Sequence, residues 1–330
     1  MARLVRFAAF TIALLFAVGF STANAGALPG DLIVTDFSAA GGNGAVFIVD
    51  PNLGTQTILS SGGLFLDPWD VAVDAGGTPR IFISDIGSDA IIEVDPNTGA
   101  QVLVTMAGLL ANPTGVEVGV GTDLWVTDSG TNSLVKVDKN TGFQTLVHSG
   151  APFVSPFGVA VNKFGDVYVL DRVKNGGTVF KMVGGVPVSI SNGAPFQQPY
   201  GLTIDQGAPI FPANEPGGIW VVDRNAAAGP GAIIYVDPNT GAKTIVSQQQ
   251  FFSEASGVTI GPSTSGSPFY ACDYATRVVV RFDPAGLPST NQTLVSSGGL
   301  FSNPVKLAVF PEQPVQTETS TWGRVKGLYR

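Results

Sequence analysis

One cysteine and one histidine in 330 residues remove most metal and disulfide chemistry from consideration. Cys272 alone cannot close an internal disulfide. Zinc held by several His or Cys ligands is excluded on the same count. His148, the single histidine, falls near the end of an expected outer strand, where a surface role fits better than a ligand role. Charge is scarce too: 13% of residues are Asp, Glu, Lys or Arg, about half the usual share. Seventeen basic residues face 25 acidic ones, and nucleic-acid affinity rests on basic side chains neutralising phosphates, so DNA and RNA are excluded as partners. The longest apolar run, 7–20, is shorter than the ~20 residues a membrane span needs.

That run has another reading. Arg3 and Arg6 precede it and Ala23-Asn24-Ala25 follows, which is the basic, apolar and small-residue order of a cleavable secretory signal peptide. Residues 1–25 are therefore expected to be removed, placing the protein in the periplasm or outside the cell. No cysteine follows the cut to carry a lipid. Losing two arginines leaves 15 basic against 25 acidic residues, a net charge near −10. The whole chain is 44% apolar, with 42 Gly and 23 Pro dispersed through it and few helix-compatible stretches. This composition reads as an all-β domain over 26–310 with many turns, followed by a flexible tail at 311–330.

The chain repeats. A strand-like phrase ending in Asp recurs as LIVTD (32–36), IFISD (81–85), LWVTD (124–128), VYVLD (167–171), IWVVD (219–223) and FYACD (269–273). A second phrase, typically Pro-x-Gly-Val-x-Val, recurs as PWDVAV (68–73), PTGVEV (113–118), PFGVAV (156–161), PYGLTI (199–204), ASGVTI (255–260) and PVKLAV (304–309). A third ends in Val-Asp-Pro-Asn-Thr-Gly in its best copies. Each unit of roughly 43 residues holds four short strands, A to D, the size of one propeller blade. In one unit they are expected at 158–161, 167–171, 179–182 and 188–190.

The chain enters at strand B and leaves after strand A. The N-terminal B, C and D strands thus lack the one partner that the C-terminus supplies. Joining them predicts a six-bladed β-propeller whose closing blade is shared by the two ends, with Leu307 beside Val34. A large apolar residue three positions before each Pro position (Phe65, Leu110, Phe153, Phe196, Phe252, Phe301) is expected to wedge between blades. Each such burial contributes roughly 1.5–3 kcal/mol. The Asp-Pro-Asn-Thr-Gly segments have too few carboxylates for a calcium loop and are expected to be C–D hairpins.

Phrases such as PFGVAVNKFGDVYVLDRVKNGGTVFKM (156–182) and PTGVEVGVGTDLWVTDSGTNSLVKVD (113–138) closely resemble NHL repeats, over roughly 31–310. The wider group of six-bladed propellers includes the gluconolactonase-like (SMP-30) hydrolases, and streptogramin lyases are similar at the repeat level. The lyases rely on histidines, of which this chain has one, His148, expected near the outer rim. The gluconolactonase-like enzymes hold a divalent cation in the central channel with Glu, Asn and Asp, and their metal motifs do not match this sequence residue by residue.

The six closing aspartates, Asp36, Asp85, Asp128, Asp171, Asp223 and Asp273, are expected around the channel mouth, either accepting backbone N–H bonds from adjacent loops or holding a cation. Arg172 and Arg224 follow two of them. The repeat is broken where Asp70 and Lys306 replace Gly and where Glu117 replaces Ala or Thr, and Trp69 and Tyr200 occupy the x position of the Pro-x-Gly phrase. Such departures mark candidate functional positions. Asp70 and Lys306 lie in neighbouring blades and could pair. The leading expectation is a monomeric, non-catalytic binding propeller. It would capture a small molecule, glycan or extracellular protein segment at this mouth, using Trp69, Asp70, Glu117, Arg172, Tyr200, Arg224 and Lys306. The rival is a lactonase-like hydrolase holding Ca²⁺ or another divalent cation on Asp70, Glu117 and Asp273. A structural envelope or matrix role is the third reading.

Overall fold

A computed structural model describes residues 26–173, 176–206, 218–226, 229–261, 268–285, 288 and 290–311. The expected signal peptide and nearly all of the expected tail lie outside them. Among the described residues the fold is all-β, with 24 strands in six four-stranded antiparallel sheets. No described helix is long and apolar enough to cross a membrane.

Blade 1 is β4 (Pro68–Asp74), β5 (Arg80–Asp85), β6 (Ala90–Val94) and β7 (Gln101–Met106). Blade 2 is β8 (Pro113–Val118), β9 (Asp123–Asp128), β10 (Ser133–Asp138) and β11 (Gln144–Ser149). Blade 3 is β12 (Pro156–Val161), β13 (Val167–Val173), β14 (Gly176–Val183) and β15 (Val186–Asn192). Blade 4 is β16 (Pro199–Ile204), β17 (Ile219–Asp223), β18 (Ala232–Val236) and β19 (Lys243–Gln248). Blade 5 is β20 (Ala255–Ile260), β21 (Phe269–Asp273), β22 (Val278–Phe282) and β23 (Gln292–Ser297). Blade 6 joins β24 (Pro304–Val309) to β1 (Leu32–Asp36), β2 (Ala45–Val49) and β3 (Gln56–Ser61).

The two chain ends meet as expected: Val34 pairs with Leu307, and Ile33 with Ala308. The ladder continues past the strands through Phe310 N–H to the Asp31 carbonyl (2.7 Å) and Gly30 N–H to the Phe310 carbonyl (3.0 Å). The innermost strands contact one another in the closed cycle β4, β8, β12, β16, β20, β24 and back to β4. That cycle is the wall of a central channel.

Burial follows radius. The B strands, with neighbours on both sides and both faces, read as continuous apolar runs: β1, β17 and β21 are buried at every residue. The outer D strands hold most of the exposed strand residues, Val102 and Val186 among them. The six wedge residues Phe65, Leu110, Phe153, Phe196, Phe252 and Phe301 are all buried. The Val-Asp-Pro-Asn-Thr-Gly segments are hairpins. In each, the Asp side chain accepts the next two free N–H groups, as Asp95 does from Asn97 (2.9 Å) and Thr98 (2.8 Å). Their glycine has positive φ and lies against the preceding blade, where a Cβ on Gly99 would overlap the Leu59 carbonyl.

Every A strand begins with a β-bulge. The register shifts between Pro68 and Asp70, Pro113 and Gly115, Pro156 and Gly158, Pro199 and Gly201, and Ala255 and Gly257, with the matching shift at Thr35/Asp36 in blade 6. The extra residue is the x of Pro-x-Gly. Released from the ladder, it is re-aimed by the bulge.

Candidate functional site

The six closing aspartates are buried, and their carboxylates accept backbone N–H groups. Asp85 accepts from Leu66 (2.9 Å), Asp67, Gly87 and Ser88. Asp273 accepts from Ser253 and Glu254 (both 2.7 Å), Ala275 and Thr276. Asp36, Asp128, Asp171 and Asp223 likewise bind the last backbone N–H groups of the D–A linker. Each carboxylate therefore ties the linker entering a blade to that blade's second strand. Burial raises Asp36, Asp171 and Asp223 above the ordinary carboxylate range, and these N–H donors oppose the rise.

At the face where the A strands begin, bulge residues close the channel. Trp69 and Tyr200 come from blades 1 and 4, on opposite sides of the ring, yet their ring centroids are 6.3 Å apart. Such a contact exists only on the axis. Phe157 from blade 3 completes the plug, 5.8 Å from Trp69 and 4.9 Å from Tyr200. All three are at least nine-tenths buried. In the other blades the same position is Thr114, Ser256 or Val305, and the two hydroxyls bond backbone carbonyls at Pro156 (2.9 Å) and Pro304 (3.0 Å). Three large residues fill the axis because three small ones leave it.

Arginines cover the plug from outside. The Arg172 guanidinium lies 3.9 Å from the Phe157 ring, and Arg224 lies 3.5 Å from Tyr200 and 4.6 Å from Tyr274. Phe37 stacks on Tyr274 at 5.8 Å and leans on Trp69 at 5.7 Å. Arg224 meets Glu254 at 3.5 Å, while its Nε and Nη2, and Trp69 Nε1, are buried without a hydrogen-bond partner among the described residues. Burial lowers the Arg224 pKa. Trp69, Tyr200, Arg172 and Arg224 thus fill and cap the expected mouth instead of standing around an opening.

Behind the plug lies a cavity of about 360 Å³, lined by all six A strands. It reaches toward the opposite face, where Ala75, Gln206 and Pro311 line it and Val73, Val118, Ile260 and Val309 are partly exposed. Asp70, Glu117 and Lys306 line it together. The Asp70 Oδ1 accepts Val71 N–H (2.9 Å) and its Oδ2 accepts Val116 N–H (3.3 Å), both inner-edge groups of the A strands. Lys306 is buried, with Nζ 4.0 Å from Asp70 Oδ2 and no hydrogen bond of its own among the described residues. Its side chain crosses the channel to blade 4, where a Cβ on Gly201 would overlap Nζ. Glu117 accepts only Val118 N–H (3.0 Å). Burial first, and the Asp70 charge second, push its carboxyl up to about 8. Burial also raises Asp70, against the pull of Lys306.

The carboxylates expected to share a divalent ion are not brought together. Asp70 and Glu117 line the channel, but Asp273 is engaged by its own loops on the other side of the plug. No cluster of three His, Cys, Asp or Glu among the described residues could hold a metal. In addition, the Lys306 ammonium already stands beside Asp70, and Glu117 is uncharged near neutral pH. This donor set does not fit a divalent cation. His148 lies on outer strand β11, against Phe153 and the Ala151 carbonyl.

Phe157, Phe37, Tyr274 and Gly201 escaped the sequence reading. Phe157 carried a usable signal, since it occupies the same x position as Trp69 and Tyr200. Also unread was a set of clasps between blades. Gln56, Gln101, Gln144 and Gln292, each at or near the start of a D strand, bond the D–A linker of the preceding blade, as Gln144 does to Ala107 O (2.9 Å) and Leu109 N (2.6 Å).

No protein-family model matches the chain, and no curated protein sequence matches it. Among solved structures, a chain from the crystal structure of a nidogen/laminin complex aligns with a TM-score of 0.66, covering 84% of this chain and 97% of that one at 13% identity. At that identity the likeness extends to the fold, a six-bladed β-propeller.

Proposed function

We propose that this protein is a non-catalytic binding propeller that takes a small organic molecule into its central channel, entering from the face where the A strands end. One observation carries the reading: behind a sealed mouth, the channel keeps a cavity into which a buried lysine projects without a hydrogen bond. The ammonium is reached from the cavity, and a ligand there would supply the acceptor it lacks. Export to the periplasm or beyond, on the pattern of Arg3 to Ala25, and kinship with NHL-repeat and gluconolactonase-like propellers belong to the same proposal. The test is a fragment screen by NMR on the full chain. Amide shifts clustered at Val73, Glu117, Ile260 and Lys306 are expected, and shifts confined to other surfaces would overturn the reading.

A second reading has its own observation. The Phe37–Tyr274 stack beside Arg224 offers an aromatic and cationic surface on the sealed face, suited to a protein segment, and the nidogen/laminin complex supplies a precedent for the fold. Binding of a partner that is lost on Tyr274→Ala and indifferent to Lys306→Met would favour it. The lactonase-like rival would be revived by stoichiometric calcium binding that Asp70→Ala abolishes.

A further inference from the structure

We infer that the molecule held in the channel is a small organic carboxylate, its head bound by the Lys306 ammonium and its apolar body lying toward the open face. This rests on the channel reading above and narrows it. The Lys306 ammonium brings unused donor capacity to the cavity. The three N–H bonds of Lys306 have no acceptor within hydrogen-bond distance, since Asp70 Oδ2 is 4.0 Å away. Asp70 cannot serve as the head-group site for a cation, because Val71 N–H, Val116 N–H and Lys306 already converge on it. Glu117, kept protonated to about 8, offers a hydroxyl proton where an ionised acid would add a second negative charge.

The charge count favours one negative charge over two. Among the described residues Lys306 is the one cation lining the cavity, and Asp70 is its neighbour. Asp70 already balances the ammonium, so a monoanion meets the repulsion from Asp70 once and a dianion such as phosphate meets it twice.

The cavity is also graded along its axis. Asp70, Gly201 and Lys306 occupy the same repeat position, directly behind the plug. Three residues further along the A strands, roughly 10 Å away, the lining becomes Val73, Ile204, Ile260 and Val309. Between the two ends Glu117, Thr203 and Thr259 form a polar belt, so the lining suits a molecule with an anionic head and a short body whose far end is hydrocarbon. Gly201 is part of the device, since any side chain there would displace the ammonium from the axis.

The test compares hexanoate and benzoate with their uncharged isosteres hexanamide and benzamide, and with inorganic phosphate, by calorimetry on the full chain. Both acids are expected to bind at least about tenfold more tightly than their amides, the usual effect of one charge-assisted contact. Lys306→Met should reduce each acid to the affinity of its amide, and Lys306→Arg should preserve the preference. Thr203→Trp, which fills the middle of the cavity, should weaken all four organic probes. Amides that bind as well as acids, acids indifferent to Lys306→Met, or phosphate outcompeting both acids would overturn the carboxylate assignment and leave the channel reading standing. Silence from all four organic probes, or binding unaffected by Thr203→Trp, would overturn the channel reading as well. The acid–amide comparison needs only the wild-type chain, so it decides the matter even if a variant does not fold.

Discussion

Replacing Glu117 with Gln should change how the stability of the propeller depends on pH, and the size of the change can be worked out. In the unfolded chain this carboxyl titrates at its ordinary value of 4.5, and in the channel it is pushed up to about 8. Between those values the folded protein keeps a proton that the unfolded chain has released. A group whose folded pKa is raised stabilises nothing extra at low pH and weakens the fold as pH rises. The penalty grows by about 1.4 kcal/mol per pH unit across the window and levels off above about 8, approaching roughly 5 kcal/mol as an upper limit. Glutamine keeps the shape and cannot ionise. Urea denaturation of both proteins at pH 4, 5, 6, 7, 8 and 9 measures the difference directly. The variant should match the wild type at pH 4 and gain on it steadily to pH 8. Parallel curves over the whole range would refute the assignment of Glu117 to a channel-lining, Asp70-facing position.

Other consequences are more local. Asp128→Ala leaves the N–H groups of Ala111, Asn112 and Thr131 without their acceptor. It should cost about 2–4 kcal/mol in chemical denaturation. Trp69→Ala empties the axis and should cost about 3–5 kcal/mol, while opening the channel to solvent from its sealed side, which hydrogen exchange of the A-strand amides would register. Gly201→Ala should displace Lys306 from the axis and abolish carboxylate binding by calorimetry, with a smaller loss of stability than Trp69→Ala. Gln144→Ala removes one clasp between blades 1 and 2 and should cost about 1–2 kcal/mol in the same denaturation assay.

Repetition made the architecture legible. A phrase that returns six times, with its ends interrupted in complementary places, leaves circular closure as the natural arrangement, and the Val34–Leu307 pair follows from it. The wedges and the aspartate clasps were readable for the same reason: six copies doing one thing point to structure. Asp70, Glu117 and Lys306 stood out as exceptions to that repetition, and the structure gathers all three in the channel. What the repeat could not convey was direction. Trp69 and Tyr200 look like mouth residues until the bulge turns them onto the axis, and a one-residue change in register is invisible in the spacing of the phrases. Gly201 reads as an ordinary copy of the repeat, although the room it leaves is what admits Lys306 from the far side. Asp273 was grouped with the channel carboxylates on chain position alone, whereas its hydrogen bonds place it with the clasps.

A double-mutant cycle on Asp70 and Lys306 tests the central claim most directly. These residues meet only if the last strand of the chain completes the ring beside the first full blade, and only if both face the channel. Asp70→Asn, Lys306→Met and the double variant, compared by urea denaturation at pH 7, should show a coupling of about 1–3 kcal/mol. Additive effects, within about 0.3 kcal/mol, would mean that the two side chains never meet.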